Sequence, residues 1–240
     1  MTMETGMVQQ AILNHASLRE QVYEHLRRAI NRGDLTPGAF LDQTQISAEL
    51  GISKQPLRDA LIQLETEGFV RILPRRGVVV SRLTLDDIRH LYEVIGALEG
   101  AAVVSVFAEM NDAQFREMRL LNADMVLAID DGDFDTYYRL NLAFHNVFLG
   151  LSDNEALVRT VEVSKQRLYD FPRAKDFVAD WELSSIGEHA EFVDHLETGD
   201  RRSAADYLRD VHWSFGMQRP FIMRYYFPNQ TRESSSRTEP

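Results

Sequence analysis

Leu18, Val22, Leu26 and Ile30 recur every fourth residue, which predicts an amphipathic helix ending near Arg32-Gly33. The LTPG run that begins at Leu35 is turn chemistry, and it leads into the apolar pair Phe40-Leu41. Asp42 followed by Gln45 has the spacing of a capping box, so a second helix runs to about Leu50. Gly51-Ile52 turns the chain into a third helix. Ser53 is its N-cap, and Pro56 sits in the first turn, where backbone N–H groups have no helical partner. Leu57, Ala60, Leu61 and Leu64 form its apolar stripe, and Gly68 stops it. Phe69 to Leu73 reads as an extended apolar run, PRRG as a tight turn and VVVS as a second strand.

From Thr84 onward the pattern is helical. Thr84 with Asp87 caps a long helix over about 85–108, and further helices follow at about 112–130, 133–150, 154–169, 183–198 and 200–217, with a shorter one near the C-terminus. The short polar loops NDA, DDGD and SDN suit an antiparallel bundle. The expected fold is mainly α, in two parts. Residues 18–82 form a winged helix-turn-helix of three helices plus a β-hairpin wing, and residues 83–227 form an all-α antiparallel helical bundle. Residues 1–17 read as a flexible tail, and the apolar-poor residues 228–240 as a disordered one. No internal repeat is visible.

Composition sharpens this picture. The chain has 240 residues, 44% of them hydrophobic, enough for real cores. It has no cysteine, which excludes disulfides, thiolate metal sites and a cysteine nucleophile. No run approaches the roughly 18 apolar residues of a membrane span, and no signal-peptide core is visible at the N-terminus, so a cytoplasmic protein is expected. The net charge of −11 argues against nucleic acid only until it is divided by region. Leu18 to Arg82 holds ten basic and eight acidic residues, a balance of +2, which leaves −13 for the remainder.

A polar, cationic start on a helix whose other face is buried is not something the fold requires. In a winged helix-turn-helix that end enters the major groove. Ser53, Lys54, Gln55 and Arg58 are then placed to meet phosphates and bases: Lys54 or Arg58 suits guanine and Gln55 suits adenine. Thr44 suits a phosphate contact, and Arg75 and Arg76 on the wing suit a minor groove or backbone. For Arg58 alone a solvated surface charge is the better reading. Cations at both the helix start and the wing tip tip the balance.

The run LREQVYEHLRRAINRGDLTPGAFLDQTQISAELGISKQPLRDALIQLETEGFVRILPRRGVVV resembles the DNA-binding domain of the GntR family of bacterial transcription regulators. The family pattern G-x-L-x-P-G, L-G-[VI]-S-[RK]-x-P-[VL]-R-[ED]-A-L, L-x-x-E-G and P-x-R-G is matched throughout. The resemblance implies that Thr44, Ser53, Lys54, Gln55, Arg58, Arg75, Arg76 and Gly77 lie at the DNA. Lys54 stands where arginine is commoner, and Gln55 where threonine is common. Those departures bear on which operator is read.

LYEVIGALEGAAV, from Leu91, is similar to the opening of the FCD effector domain of the FadR subfamily, and the all-helical remainder fits that domain. One branch of the subfamily, the VanR-like one, holds a divalent metal with an aspartate or asparagine and three histidines. Here Asn141 and His145 stand four apart on one helix face, and His189 and His212 complete the implied set. His212 falls one residue later than the family spacing, a rotation of about 100° unless a bulge absorbs it, and His195 is the substitute if none does. Seven histidines make three helical ones unremarkable by count, and a histidine on an apolar helix is more often a core residue. Imidazole ligands favour zinc first, with nickel, manganese or iron as alternatives. Three histidines and an asparagine leave the ion's charge uncompensated, which points to a small carboxylate, with Arg139 and Arg167 as candidate anion anchors. The family's E-x-R reads EVI here, Ile95 replacing the arginine. Met118, Met125, Phe144, Phe148 and Tyr207 read as bundle core.

These readings converge on a homodimeric, ligand-responsive regulator, most often a repressor in this family, that binds a palindromic operator in double-stranded DNA. A metal-responsive regulator is the alternative. A histidine-metal hydrolase is a weaker one: it needs a general base, Glu188 adjoins His189 but helix neighbours point about 100° apart, and no HExxH, nucleophile elbow or phosphate loop is present.

Overall fold

The computed structural model of the chain describes residues 17–169 and 179–227. Of the tails expected at 1–17 and 228–240, all but Ser17 lies outside the described residues. Ser17 does not belong to a tail: its hydroxyl caps α1 (Leu18–Asn31) by accepting from the Glu20 N–H at 3.2 Å. The described chain forms two compact units that divide between Leu83 and Thr84, except that residues 167–169 are grouped with the first.

In the first unit α1 is followed by β1 (Phe40–Leu41), α2 (Gln43–Glu49), α3 (Lys54–Thr66), β2 (Val70–Leu73) and β3 (Gly77–Val80). The hairpin is joined by Phe40-Leu41, which pairs antiparallel with β3, so the sheet has three strands in the order β1-β3-β2. Asp42 caps α2 by accepting from the Thr44 and Gln45 N–H groups, but the reciprocal half of the expected box is missing, because Gln45 donates to Glu49 instead. Val22, Leu26, Ile30, Leu57, Leu61, Leu64, Phe69, Val78 and Val80 are buried together. Each such side chain contributes roughly 2 kcal/mol on burial, which holds α3 on the core by its apolar stripe. Gly68, at φ +84°, ends α3 in the left-handed conformation, and the Phe69 N–H closes onto the Leu64 carbonyl at 2.8 Å. Two side chains brace this unit. Glu65 accepts from the Ile72 N–H at 2.6 Å, tying α3 to the wing, and the Tyr23 hydroxyl donates to Glu67 at 2.5 Å.

The second unit is helical: α4 (Leu85–Val106), α5 (Asp112–Asp130), α6 (Phe134–Leu149), α7 (Glu155–Tyr169), α8 (Ala179–Glu197), α9 (Arg201–Tyr207), a π-helical turn (Leu208–His212) and α10 (Phe215–Tyr226). Thr84 and Asp87 form the reciprocal box on α4, Asn111 and Gln114 a second on α5, and Asp133 and Asp200 cap α6 and α9. The helix expected over 200–217 is interrupted by the π turn. Helix α4 packs against α9 and this turn, and α5 against α6 and α8. The close approach of α4 depends on Gly96, where a Cβ would fall 2.8 Å from the Trp213 Cβ. Met118, Met125, Phe144 and Phe148 are fully buried, whereas Tyr207 is half-buried, with its hydroxyl on Glu191. Among the described residues no helix is long and apolar enough to cross a membrane.

Candidate nucleic-acid surface and metal centre

Ser53, Lys54, Gln55 and Arg58 are all exposed at the start of α3, while Leu57, Ala60, Leu61 and Leu64 face the core. Ser53 has the extended backbone of an N-cap, yet its side chain makes no capping bond, so its hydroxyl is available to a ligand of the helix end. Thr44 is exposed at the start of α2. Arg75 and Arg76 are exposed in the turn between β2 and β3, and Arg75 takes a left-handed φ of 61° beside Gly77 at 107°.

Charge pairing is uneven across the unit, and Arg71 and Arg82 resemble this surface in forming no ion pair among the described residues. Arg19, Arg28 and Arg32 each lie against a carboxylate. Lys54, Arg58, Arg75 and Arg76 form no ion pair among the described residues. Gln55 is different, because its amide already donates to Asp59 at 2.9 Å.

The second site lies in the helical unit. His145 on α6, His189 on α8 and His212 at the end of the π turn are all buried, and their ligating atoms lie within 4.8 Å of one another. The π turn is what brings His212 in. It accommodates one residue more than an α-helix would, and so cancels the slip that the sequence spacing implies. His195 stays outside this cluster, hydrogen-bonded through Nδ1 to Ser203 at 2.8 Å and packed on Tyr207. Asn141, one turn before His145, is buried with its Oδ1 lacking a hydrogen-bond partner.

Two imidazoles are held from outside by hydrogen bonds at Nδ1, that of His189 3.2 Å from Asn122 Oδ1 and that of His212 2.9 Å from Glu188 Oε2. The Nδ1 of His145 lies 2.9 Å from Glu99 Oε2, close enough for charge attraction but without hydrogen-bond alignment. These partners are themselves fixed. Asn122 donates to the Ile186 carbonyl, Gln218 donates to Glu188, and Trp213 Nε1 donates to Glu99 Oε2 at 2.7 Å. With Nδ1 turned to an outer partner, Nε2 is left to coordinate, and the Nε2 atoms of His145 and His189 are buried without a hydrogen-bond partner. Orphaned acceptors brought together in a buried interior fit a cation, and outer carboxylates and amides are the usual support of metal-bound histidine. Three imidazoles and an amide oxygen suit zinc and the later transition metals.

Electrostatics keeps the ligands in the form a metal needs. Burial lowers His145 to about 4 from the ordinary 6.5, with the Glu99 carboxylate opposing. Burial, then the charges of His212 and His145, pushes His189 well below its ordinary value. Both are therefore neutral near pH 7. Burial would raise Glu99, but His145 and Lys165 outweigh it and hold the carboxyl ionised. Burial lowers Lys165, with Glu99 opposing.

Comparison with known proteins fits both sites. Residues 18–80 match the family described as bacterial regulatory proteins, gntR family, and residues 90–211 match the FCD domain. The chain belongs to the GntR family. Specifically, it is a GntR regulator of the FadR subfamily, with an N-terminal helix-turn-helix and a C-terminal FCD domain, and it acts in transcription by binding DNA. It is similar to the HTH-type transcriptional regulator YdhC of Bacillus subtilis (strain 168), at 26% identity over 190 residues, 78% of this chain and 84% of that one. It is also similar to the HTH-type transcriptional repressor RspR of Escherichia coli (strain K12), at 26% over 145 residues, 60% of this chain and 64% of that one. Among solved structures, E. coli McbR/YncC superposes with a TM-score of 0.64 at 20% identity, covering 87% of this chain and 97% of that one. A GntR-type regulator from Rhodococcus sp. RHA1 superposes with a TM-score of 0.66 at 22% identity, covering 86% and 98%. The named relatives are transcriptional regulators, not enzymes.

In this GntR regulator the two arginines read as anion anchors lie on α6 and α7. Arg139 is exposed on α6 near Asp133, and Arg167 groups with the first compact unit. The cation beside the cluster is Lys165, paired with Glu99 Oε1. Ile95 is fully buried. Sequence reasoning missed Glu99, Asn122 and Lys165, although periodicity marks each one. Glu99 falls on the stripe of Ile88, Ile95, Ala102 and Val106, Asn122 lies between Met118 and Met125, and Lys165 lies between Val161 and Leu168. A polar residue on a buried stripe needs a partner, and that need is the signal.

Proposed function

We propose that this GntR regulator is a cytoplasmic homodimer, most simply a repressor, that binds a palindromic operator and is released or retained by a small carboxylate held at a metal ion in residues 83–227. Asn141, His145, His189 and His212 hold the ion, and Glu99, Asn122 and Glu188 orient its imidazoles. When bound, the ion supplies a Lewis-acidic point for an anion. The donor set brings no negative charge of its own, so an anionic ligand completes the site. The observation that carries this reading is the buried trio of histidines, with the Nδ1 atoms of His189 and His212 hydrogen-bonded from outside, that of His145 beside the Glu99 carboxylate, and two Nε2 atoms orphaned in the interior. Ser53, Lys54, Gln55, Arg58 and Thr44 read the major groove and its backbone from residues 18–82, and Arg75, Arg76 and Gly77 approach from the wing. The cations without ion pairs support that assignment. The similarity to a repressor, RspR, supports the direction of control.

Because a dimer binds two half-sites at once, a ligand that favours one arrangement of the reading domains changes operator affinity through a population shift. The test is a mobility-shift titration on palindromic operator DNA, with zinc-loaded and metal-stripped protein, over a panel of small organic acids. A salt-dependent shift modulated by one of the acids is expected. Binding that is undetectable or insensitive to salt at every site overturns the proposal. The buried histidine trio also supports a second reading, in which the metal itself is the signal. Operator affinity that tracks zinc and ignores every acid would select it.

A further inference from the structure

Coordination of a metal leaves one buried charge unexplained. Lys165 has a side chain 4% exposed, and Glu99 0%. The ammonium carries three donors; among the described residues its ion-pair partner is Glu99, through Oε1, Nζ makes no hydrogen bond of good geometry, and the Trp213 ring lies 5.3 Å from it. Glu99 Oε2 is taken by His145 and Trp213. A buried ion pair adds little stability over apolar side chains of the same size, and a purely structural pair would have its remaining donors satisfied. The Trp213 ring that Nζ stands over lies 5.8 Å from the His145 ring, so the ammonium stands close to the cluster.

We propose that Lys165 is the residue that recognises the effector's carboxylate, which it shares with the metal, and that it couples anion binding to metal binding through Glu99. This rests on the metal centre proposed above. A carboxylate that draws Lys165 away from Glu99 Oε1 leaves the Glu99 charge to His145 and Trp213 alone. Stronger acceptance from the His145 Nδ1–H makes Nε2 a better donor to the ion. By linkage, a bound metal then strengthens the anion's binding by the same factor. An ammonium is a point donor, so the site accepts a single carboxylate oxygen and sets no planar, two-pronged requirement of the kind arginine imposes.

The experiment uses full-length protein loaded with Co2+, whose visible absorption reports its coordination, and titrates sodium acetate at constant ionic strength. The wild type takes up Co2+, and acetate changes the spectrum to saturation. Lys165→Met takes up Co2+ but needs at least about tenfold more acetate, the loss expected for one charge-assisted hydrogen bond, and Lys165→Arg restores most of the response. A Lys165→Met protein that responds to acetate like the wild type overturns the proposal, as does a cobalt-loaded wild type whose spectrum ignores acetate. Failure of the wild type to take up Co2+ overturns the metal centre itself, a result distinct from the other two. Should Lys165→Met fail to fold by circular dichroism, Glu99→Gln/Lys165→Met removes both charges together and carries the same comparison, with weaker Co2+ uptake.

Discussion

Nδ1 of His212 lies 2.9 Å from Oε2 of Glu188, two residues 24 apart in sequence, and Gln218 donates to the other oxygen of the same carboxylate at 2.9 Å. Glu188 is the carboxylate that a hydrolase reading would need as a base beside His189. It is instead engaged from both sides in orienting a different histidine. Glu188→Gln is therefore expected to weaken zinc affinity by roughly 10–100-fold, the usual loss for an outer partner of a ligating histidine, while the fold is kept. Competition against a fluorescent zinc chelator measures this. Unchanged affinity would remove Glu188 from the centre.

The π turn makes an unusual deletion informative. Removing the exposed Arg209 converts the turn to a plain α-helix, and the histidine that follows stays on the inward face. Zinc affinity should then fall far less than in His212→Ala. A one-residue insertion at the same place rotates the histidine by about 100° and should match His212→Ala. If the deletion is as damaging as the alanine substitution, the turn does not place His212 as described.

Lys54→Ala/Arg58→Ala should weaken operator binding by at least tenfold, at about 1–3 kcal/mol for each side chain that reads a base. Both side chains are exposed and lack ion pairs, so the melting temperature should not move. Arg75→Ala/Arg76→Ala should instead reduce the slope of log affinity against log salt by about one unit per lost phosphate contact, with sequence preference less affected. Fluorescence anisotropy at several salt concentrations separates the two cases. Full operator affinity in the first double variant would contradict the assignment of α3 to the groove.

The buried histidines make the metal-free protein sensitive to acid. The folded-state value of His145 is about 4 against an ordinary 6.5, and His189 is lowered as well. A lowered value means that the unfolded chain takes up the proton first. The stabilisation from a neutral buried histidine is complete above about pH 6.5 and is lost as pH falls towards 4, by about 3 kcal/mol for His145. Glu99, also lowered, acts in the same direction further into acid. Urea unfolding of metal-free protein from pH 7.5 to 4.5 should show this loss, and zinc should delay it. A flat profile over that range would contradict the burial of neutral histidines.

The architecture was legible because local signals agreed with one another. The stripe of Leu57, Leu61 and Leu64, the stop at Gly68 and the box of Thr84 and Asp87 each match an observed element. Phe40-Leu41 was not recognised as a strand, because two residues carry no period and their pairing with Val78 and Val79 is set by tertiary contact. The break in the helix expected over 200–217 was invisible for a related reason. A π turn has no propensity signature, and only the place that His212 must reach reveals it. Asn141, His145, His189 and His212 could be picked out through resemblance alone, whereas Glu99, Asn122 and Glu188 become apparent only when helices distant in sequence are packed together.

Metal content tests the account most directly. Full-length protein, stripped with chelator, reloaded with zinc and freed of excess by gel filtration, should hold one zinc per chain by plasma mass spectrometry. His189→Ala, with its fold verified by circular dichroism, should hold almost none. A wild type that retains no metal, or a His189→Ala variant that retains as much as the wild type, would contradict the assignment of these histidines as a metal centre.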